Sequence, residues 1–351
     1  MKAITYTEYG SPDVLHLTDI PQPMPARGEV LVRVHAASVN YGDMLARRFG
    51  KLTAREFNMA LFMYIPARLA FGLNKPRNPI LGSEFSGHVA AVGEGVTRFK
   101  VGDAVFGYRG AALGTYVEYL TMRADGMIAP LPSGLTLEEA ATVPYGALTA
   151  LTLLRKSAIK PGQRVLIIGA SGSIGAAAVQ LAKHQGAHVT GVCGTPRVAF
   201  VRALGADQVI DYTREDFTQN GQTYDLIVDV LGKGSFGRSR RSLTPEGRYL
   251  FASFKMKQIL QALWTSRFSK RKVICTLSNE KPSDLQAISE LIEAGHYRAI
   301  VDRAFPMEQA AEAHRYAESG GKQAPVVIRI APEPAESRPT VSTAQRVAVT
   351  A

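Results

Sequence analysis

A chain of 351 residues, 46% of them hydrophobic, is long enough for two cores, because single cores stop growing at roughly 250–300 residues. Only Cys193 and Cys275 are present, which excludes a disulfide framework and a cysteine-rich metal lobe, and no apolar run reaches the roughly 18 residues that span a bilayer. The net charge of +11 comes from 41 basic residues spread along the chain rather than gathered in one arm, so it marks no nucleic-acid partner, and a cytoplasmic protein is the expectation.

From Lys2 to His35 the sequence alternates and is punctuated by Pro21, Pro23, Pro25 and Gly28, which predicts strands and turns. His88 to Tyr108 reads the same way, so residues 1–130 are expected to be β-rich. Between Asp43 and Pro79, the Met- and Phe-rich runs Phe57–Tyr64 and Ala67–Leu73 predict one or two apolar helices. Core packing is their plain reading, and a substrate lid the sharper one. From Leu135 helices and strands alternate: Leu137–Arg155, Gly175–Gln185 and Pro196–Leu204 are helical, and Arg164–Gly169, His188–Cys193, Gln208–Tyr212 and Asp225–Val230 are strands. Such alternation predicts a parallel sheet covered on both faces. Lys255–Lys272 sets Lys257, Arg267, Lys270 and Arg271 around Ile259, Leu260, Leu263 and Trp264. That is an amphipathic basic helix, either solvated on its polar face or in contact with a membrane surface or partner. Residues 331–351, rich in Pro, Ser, Thr, Ala and Glu, predict a disordered tail.

The strand Arg164–Ile168 runs directly into Gly169-Ala170-Ser171-Gly172-Ser173-Ile174-Gly175 and then into an alanine-rich helix. Glycines in that place permit a tight turn and close approach of backbone to a pyrophosphate, which rests on the positive end of the helix. A dinucleotide cradle is the reading, and diffuse positive charge suits an anionic dinucleotide. The next strand chooses the nucleotide: it ends in Cys193-Gly194-Thr195-Pro196-Arg197, with no acid for a ribose 2′-hydroxyl and with a guanidinium suited to a 2′-phosphate. NADPH is therefore the expected cofactor.

Together with Ala37-Ser38-Val39-Asn40, Pro79–Gly87, Val101–Val105 and Leu204–Tyr212, this cradle resembles the zinc-free quinone oxidoreductase branch of the medium-chain dehydrogenase/reductase superfamily. The resemblance implies an α/β protein, a doubly wound Rossmann sheet in residues 131–278 beside a GroES-like β-rich catalytic domain from residues 1–130 and 279–330. It places Thr149, Leu231, Gly232, Ser253 and Phe254 along the nicotinamide half and brackets the 2′-phosphate with Arg197 and Tyr212. Asn40 and Tyr41 become the candidate catalytic residues, with Tyr116 and Tyr145 as further pocket phenols. Relatives usually carry a glycine near Ser253 and Phe254 and reach the last strand without a proline such as Pro325. A homodimer is also implied.

Against the zinc alcohol dehydrogenases of the superfamily, the chain has Asn40 in place of a ligating Cys and Gly82-Ser83-Glu84 in place of Gly-His-Glu, so no metal is expected. Without a Lewis acid, quinones and α,β-unsaturated carbonyl compounds suit hydride transfer better than simple alcohols, because the charge that forms is delocalised. No Tyr is followed by Lys at the fourth position, which removes a short-chain dehydrogenase from consideration. The alternative is a protein that holds NADPH for a structural or regulatory purpose with little turnover.

Overall fold

The computed structural model describes residues 1–54 and 56–331. β1 (Lys2–Thr5) and β2 (His16–Asp19) form an antiparallel ribbon. β3 (Glu29–Val39) buries almost every side chain because it is paired or covered on all sides. α1 (Tyr41–Arg47) and α2 (Leu61–Phe71) follow. Core packing, the plain expectation for the Met- and Phe-rich segment, holds for Phe57 and Ala60, whereas α2 has no buried residue. β4 (Glu84–Val92), β5 (Ala104–Tyr108), β6 (Tyr119–Arg123) and β7 (Ile128–Pro130) complete the β-rich first stretch.

The helix expected over Leu137–Arg155 is two. Thr136 caps α3 (Leu137–Ala140) through a capping box with Glu139, and Pro144, which has no N–H to donate, starts α4 (Pro144–Ser157). Then β8 (Arg164–Ile168), α5 (Ser173–His184), β9 (His188–Cys193), α6 (Val198–Ala203) and β10 (Gln208–Asp211) alternate. β11 (Tyr224–Asp229), α7 (Phe236–Ser239), β12 (Leu243–Phe251), α8 (Met256–Phe268) and β13 (Lys272–Cys275) continue the pattern. The six strands pair in parallel in the order β10-β9-β8-β11-β12-β13. The order reverses between β8 and β11, and in such sheets the ligand crevice lies outside the carboxyl ends of those strands.

α9 (Pro282–Glu293) packs Leu285, Ile288 and Ile292 into the core that holds Leu148, Val165 and Leu181. The return to the first sheet, expected from Asn279, therefore comes later, at β14 (Arg303–Pro306), followed by α10 (Ala310–Glu318) and β15 (Val326–Arg329). β15 pairs antiparallel with β3, which puts the end of the described chain into the seven-stranded sheet that β3 begins. Pro325 stands just before β15, outside its ladder, where a missing N–H does no harm. The tail expected at 331–351 lies, from residue 332 onward, outside the described residues.

Candidate functional site

β8 turns into α5 through Gly169, whose φ of +84° favours glycine, and the N–H groups of Gly169 and Ala170 both donate to the Val192 carbonyl at 3.1 Å. A Cβ on Gly175 would lie 2.0 Å from the Gly169 carbonyl oxygen, so only glycine lets the helix start this close to the strand end. Gly172 is the opposite case: it is exposed, and a Cβ there would meet only the Gly169 oxygen, at 3.6 Å. No side chain caps α5, which leaves the N–H groups of its first turn, at Ser173, Ile174 and Gly175, free for an anion. Ser171 is half-buried beside them. Gly146 lets α4 approach the Ser173 carbonyl closely, and Thr149 lies one turn further along α4, half-buried. This open space over an uncapped helix start fits the pyrophosphate of a dinucleotide.

Gly194, Thr195, Arg197 and Tyr212 come together beyond β9: Tyr212 is 63% exposed and its hydroxyl would lie 3.2 Å from a Cβ on Gly194. Two contacts there are not legible from sequence. The Arg197 guanidinium donates to the carbonyls of Lys322 (3.0 Å, from Nε) and Gly320, so it also ties the loop before β15 to the Rossmann unit. Lys322 stands close enough that burial first, and Arg197 second, hold its ammonium below the usual lysine range. The second contact is Asp211, which arrives from β10 and accepts the Thr195 hydroxyl at 2.5 Å; that bond helps keep its carboxyl below the ordinary range.

Past β11, Asp229 is fully buried and accepts the backbone N–H groups of Leu231, Gly232 and Gly234 at 3.1, 2.8 and 2.8 Å. It shapes the loop that carries Leu231 and Gly232. Gly232, at φ +65°, would place a Cβ 2.4 Å from the Ser253 carbonyl, so this loop and the Ser253–Phe254 loop touch directly. Leu231 also packs beside Gly169, and its carbonyl accepts the Asn58 amide at 2.9 Å from the first unit.

The chain's other unit holds a buried polar cluster. Asn40 caps α1: its Oδ1 accepts from Gly42 and Asp43 N–H, and its Nδ2 donates to Ser83 Oγ at 2.6 Å. Asp43 accepts from the N–H groups of Asn40 and Gly82, both at 3.0 Å. Glu84 accepts the Ser38 hydroxyl and, at 2.7 Å, the Tyr145 N–H in the first turn of α4. One carboxyl thus joins β3, β4 and the second unit. Burial pushes Asp43 and Glu84 each up to about 7. Tyr116 donates to the Ser38 carbonyl at 3.1 Å and meets His314 Nε2 at 3.2 Å; burial presses His314 down to about 3, so it is neutral. Tyr41 is half exposed at the start of α1, while Tyr145 is partly buried. Of these residues sequence reasoning missed Asp43, Glu84, Asp229, Asn58 and Lys322. Two had a signal: Asp43 in its capping-box spacing from Asn40, and Glu84 as the acid retained in Gly82-Ser83-Glu84. Among the described residues, no three His, Cys, Asp or Glu are grouped to hold a metal ion.

Comparison with known proteins places this geometry. Residues 26–133 match the alcohol dehydrogenase GroES-like domain, and residues 204–328 match the zinc-binding dehydrogenase family model. A quinone oxidoreductase of Pseudomonas aeruginosa is 31% identical over 330 residues, which cover 89% of this chain and 94% of the relative. A 2-methylene-furan-3-one reductase of Solanum lycopersicum is 28% identical, covering 95% of this chain and 80% of its own. The solved quinone oxidoreductase of Coxiella burnetii superposes with a TM-score of 0.80 at 29% identity, over 94% of this chain and 99% of that one. Such proteins are oxidoreductases that bind a nicotinamide cofactor. With two domain models in the expected order and a near full-length relative above 30% identity, the chain belongs to the zinc-free quinone oxidoreductase branch of the medium-chain dehydrogenase/reductase superfamily.

Proposed function

We propose that this oxidoreductase uses NADPH, without zinc, to reduce quinones or α,β-unsaturated carbonyl compounds. The observation that carries the reading is the 2.6 Å bond between Asn40 and Ser83: the two positions where zinc-dependent relatives hold ligands are here bonded to each other in a buried polar cluster. When bound, the cofactor supplies the hydride. The chain's part is to hold it, on the cradle Gly169–Gly175 with Thr149, Leu231, Gly232, Ser253 and Phe254 toward the nicotinamide half, and to meet the charge that develops on the acceptor oxygen. Ser83 accepts from Asn40, which leaves the Ser83 O–H as a donor in a water-poor place. Tyr41, half exposed beside Asn40, lines the approach. The relatives named for quinones and for a methylene-furanone support this substrate class.

NADPH is favoured by Arg197 and Lys322, two cations side by side near Thr195 and Tyr212. Asp211 is the observation that favours NADH instead, because its ionised carboxyl reaches Thr195 and suits a ribose hydroxyl. The experiment is steady-state NADPH consumption with a matched enone, quinone and saturated ketone, for wild type and Asn40→Ala. Enone and quinone should turn over roughly a hundredfold faster than the saturated ketone, and Asn40→Ala should lower kcat more than NADPH affinity. Equal rates for ketone and enone contradict the reaction class. No consumption with any acceptor favours a nucleotide-holding protein.

A further inference from the structure

The Rossmann unit also carries an exposed apolar surface on α8. On α8, Met256, Leu260, Leu263, Trp264 and Phe268 are all exposed, Trp264 at 52% and Phe268 at 70%, and their spacing of three and four residues puts them along one side of the helix. Ile259 and Ala262, on the other side, pack against the core. Large apolar residues gathered in this way on a surface mark a docking site. Its charge is equally one-sided. From Lys255 to Lys272, across α8 and the turn after it, the chain has six Lys and Arg and no acid.

Among the described residues Lys257, Arg267 and Lys270 form no ion pair with a carboxylate. At the end of α8 an open hollow of about 570 Å³ is lined by Arg267, Phe268, Ser269, Lys270 and Lys272, with Glu246 its one acid. α2 repeats the design. Leu61, Phe62, Ile65 and Leu69 are each more than half exposed, and the stretch from Arg48 to Arg77 holds six basic residues and one acid. The two helices adjoin one core cluster: Met59, just before α2, packs against the cluster that α8 covers.

From these observations we infer that α8 and α2 form a peripheral docking face for a membrane rich in anionic phospholipid, with the apolar stripes entering the headgroup boundary and the cations beside them meeting phosphate. Charge complementarity selects this occupant. A second copy seated on the same face by two-fold symmetry would set an acid-poor cationic surface against its own image. Contact is peripheral, since no helix among the described residues is long and apolar enough to cross a bilayer. The inference stands apart from the proposed reaction.

Trp264 is the chain's single tryptophan, so it reports on this face directly. The experiment adds phosphatidylcholine vesicles, with and without phosphatidylglycerol, to the full chain and follows Trp264 emission and co-sedimentation at low and high salt. Anionic vesicles should shift the emission to shorter wavelength and pull down the protein, and neutral vesicles should do neither. Salt should weaken the binding by screening. Leu263→Glu, read by co-sedimentation, and the double variant Lys257→Glu with Arg267→Glu should each lower vesicle partition on the order of tenfold. All three positions are exposed, so thermal melting by circular dichroism should be unchanged. The inference is overturned by absence of vesicle binding, by equal binding to neutral vesicles, or by a dimer in light scattering that Leu263→Glu dissociates.

Discussion

The nucleotide cradle at Gly169–Gly175 and the cluster of Asn40, Asp43, Ser83 and Glu84 are built by opposite means. The cradle is made of backbone: an uncapped helix start, a glycine turn at positive φ, and a contact at Gly175 that admits no Cβ. The cluster is made of side chains, two of them carboxyls in deep burial, each satisfied by N–H and O–H groups from segments far apart in the chain. A backbone site has no group to titrate and fails by steric intrusion. A side-chain site keeps its shape under small intrusions and responds to pH.

The largest effect expected is at Gly175. Gly175→Val drives a branched side chain into the Gly169 carbonyl and should cost at least about 3 kcal/mol, roughly a hundredfold, read as lost thermal stability together with lost nucleotide affinity. Survival of both would mean that the turn can relax and that the cradle is not held by backbone contact.

Next is the pH response of the cluster. Glu84 rises from an ordinary 4.5 to about 7 on folding, so the folded state holds the proton more tightly than the unfolded one. Its contribution is full below about 4.5 and is lost as pH rises to about 7, and Asp43 acts in the same direction from 3.8. His314, pressed from 6.5 to about 3, opposes them: its contribution is full above 6.5 and fades as pH falls. Two carboxyls against one imidazole predict a melting temperature that declines between pH 5 and pH 7. Glu84→Gln should remove about 2–3 kcal/mol of that dependence. An unchanged slope would show that Glu84 is ionised in the fold.

Arg197→Ala should cost about 2 kcal/mol of NADPH affinity and little of NADH affinity, measured by fluorescence titration of both. An equal loss for both nucleotides would assign Arg197 to the Gly320 and Lys322 carbonyls alone. The smallest effect separates the two glycines of the cradle. Gly172→Ala has room in the fold but fills the space above the helix start, so nucleotide affinity should drop by about 1 kcal/mol while the melting temperature stays put. A matching loss of stability would erase the distinction from Gly175.

The cradle was legible because a backbone site leaves glycines at fixed offsets between a strand and a helix. The cluster was legible only in part. Asn40 and Ser83 could be singled out by resemblance, and Asp43 by its offset from Asn40. Glu84 was marked only as the retained acid of Gly82-Ser83-Glu84, and its role was not, because Ser38 and Tyr145, which satisfy it, lie 46 and 61 residues away in the chain. Arg197 shows the same limit: its type suggested a phosphate ligand, but packing also brings it the carbonyls of a loop more than a hundred residues on. The spacing of Leu285, Ile288 and Ile292 marks a helix without saying which core it covers, and for that reason the expected return at Asn279 fell short of the observed one at Arg303. The apolar face of α2 misled in the same way, since a helical period does not say whether a face is buried.

The proposed function has a backbone cradle hold NADPH over a hydrogen-bonding cluster that does a metal's work on a conjugated acceptor. Its most direct test is transfer of label from NADPH deuterated at the reactive C4 position to an enone, by protein exhaustively treated with a strong chelator. The product should carry one deuterium at the β-carbon, at an undiminished rate. Deuterium at the carbonyl carbon, or activity that disappears on chelation and returns with zinc, would contradict it.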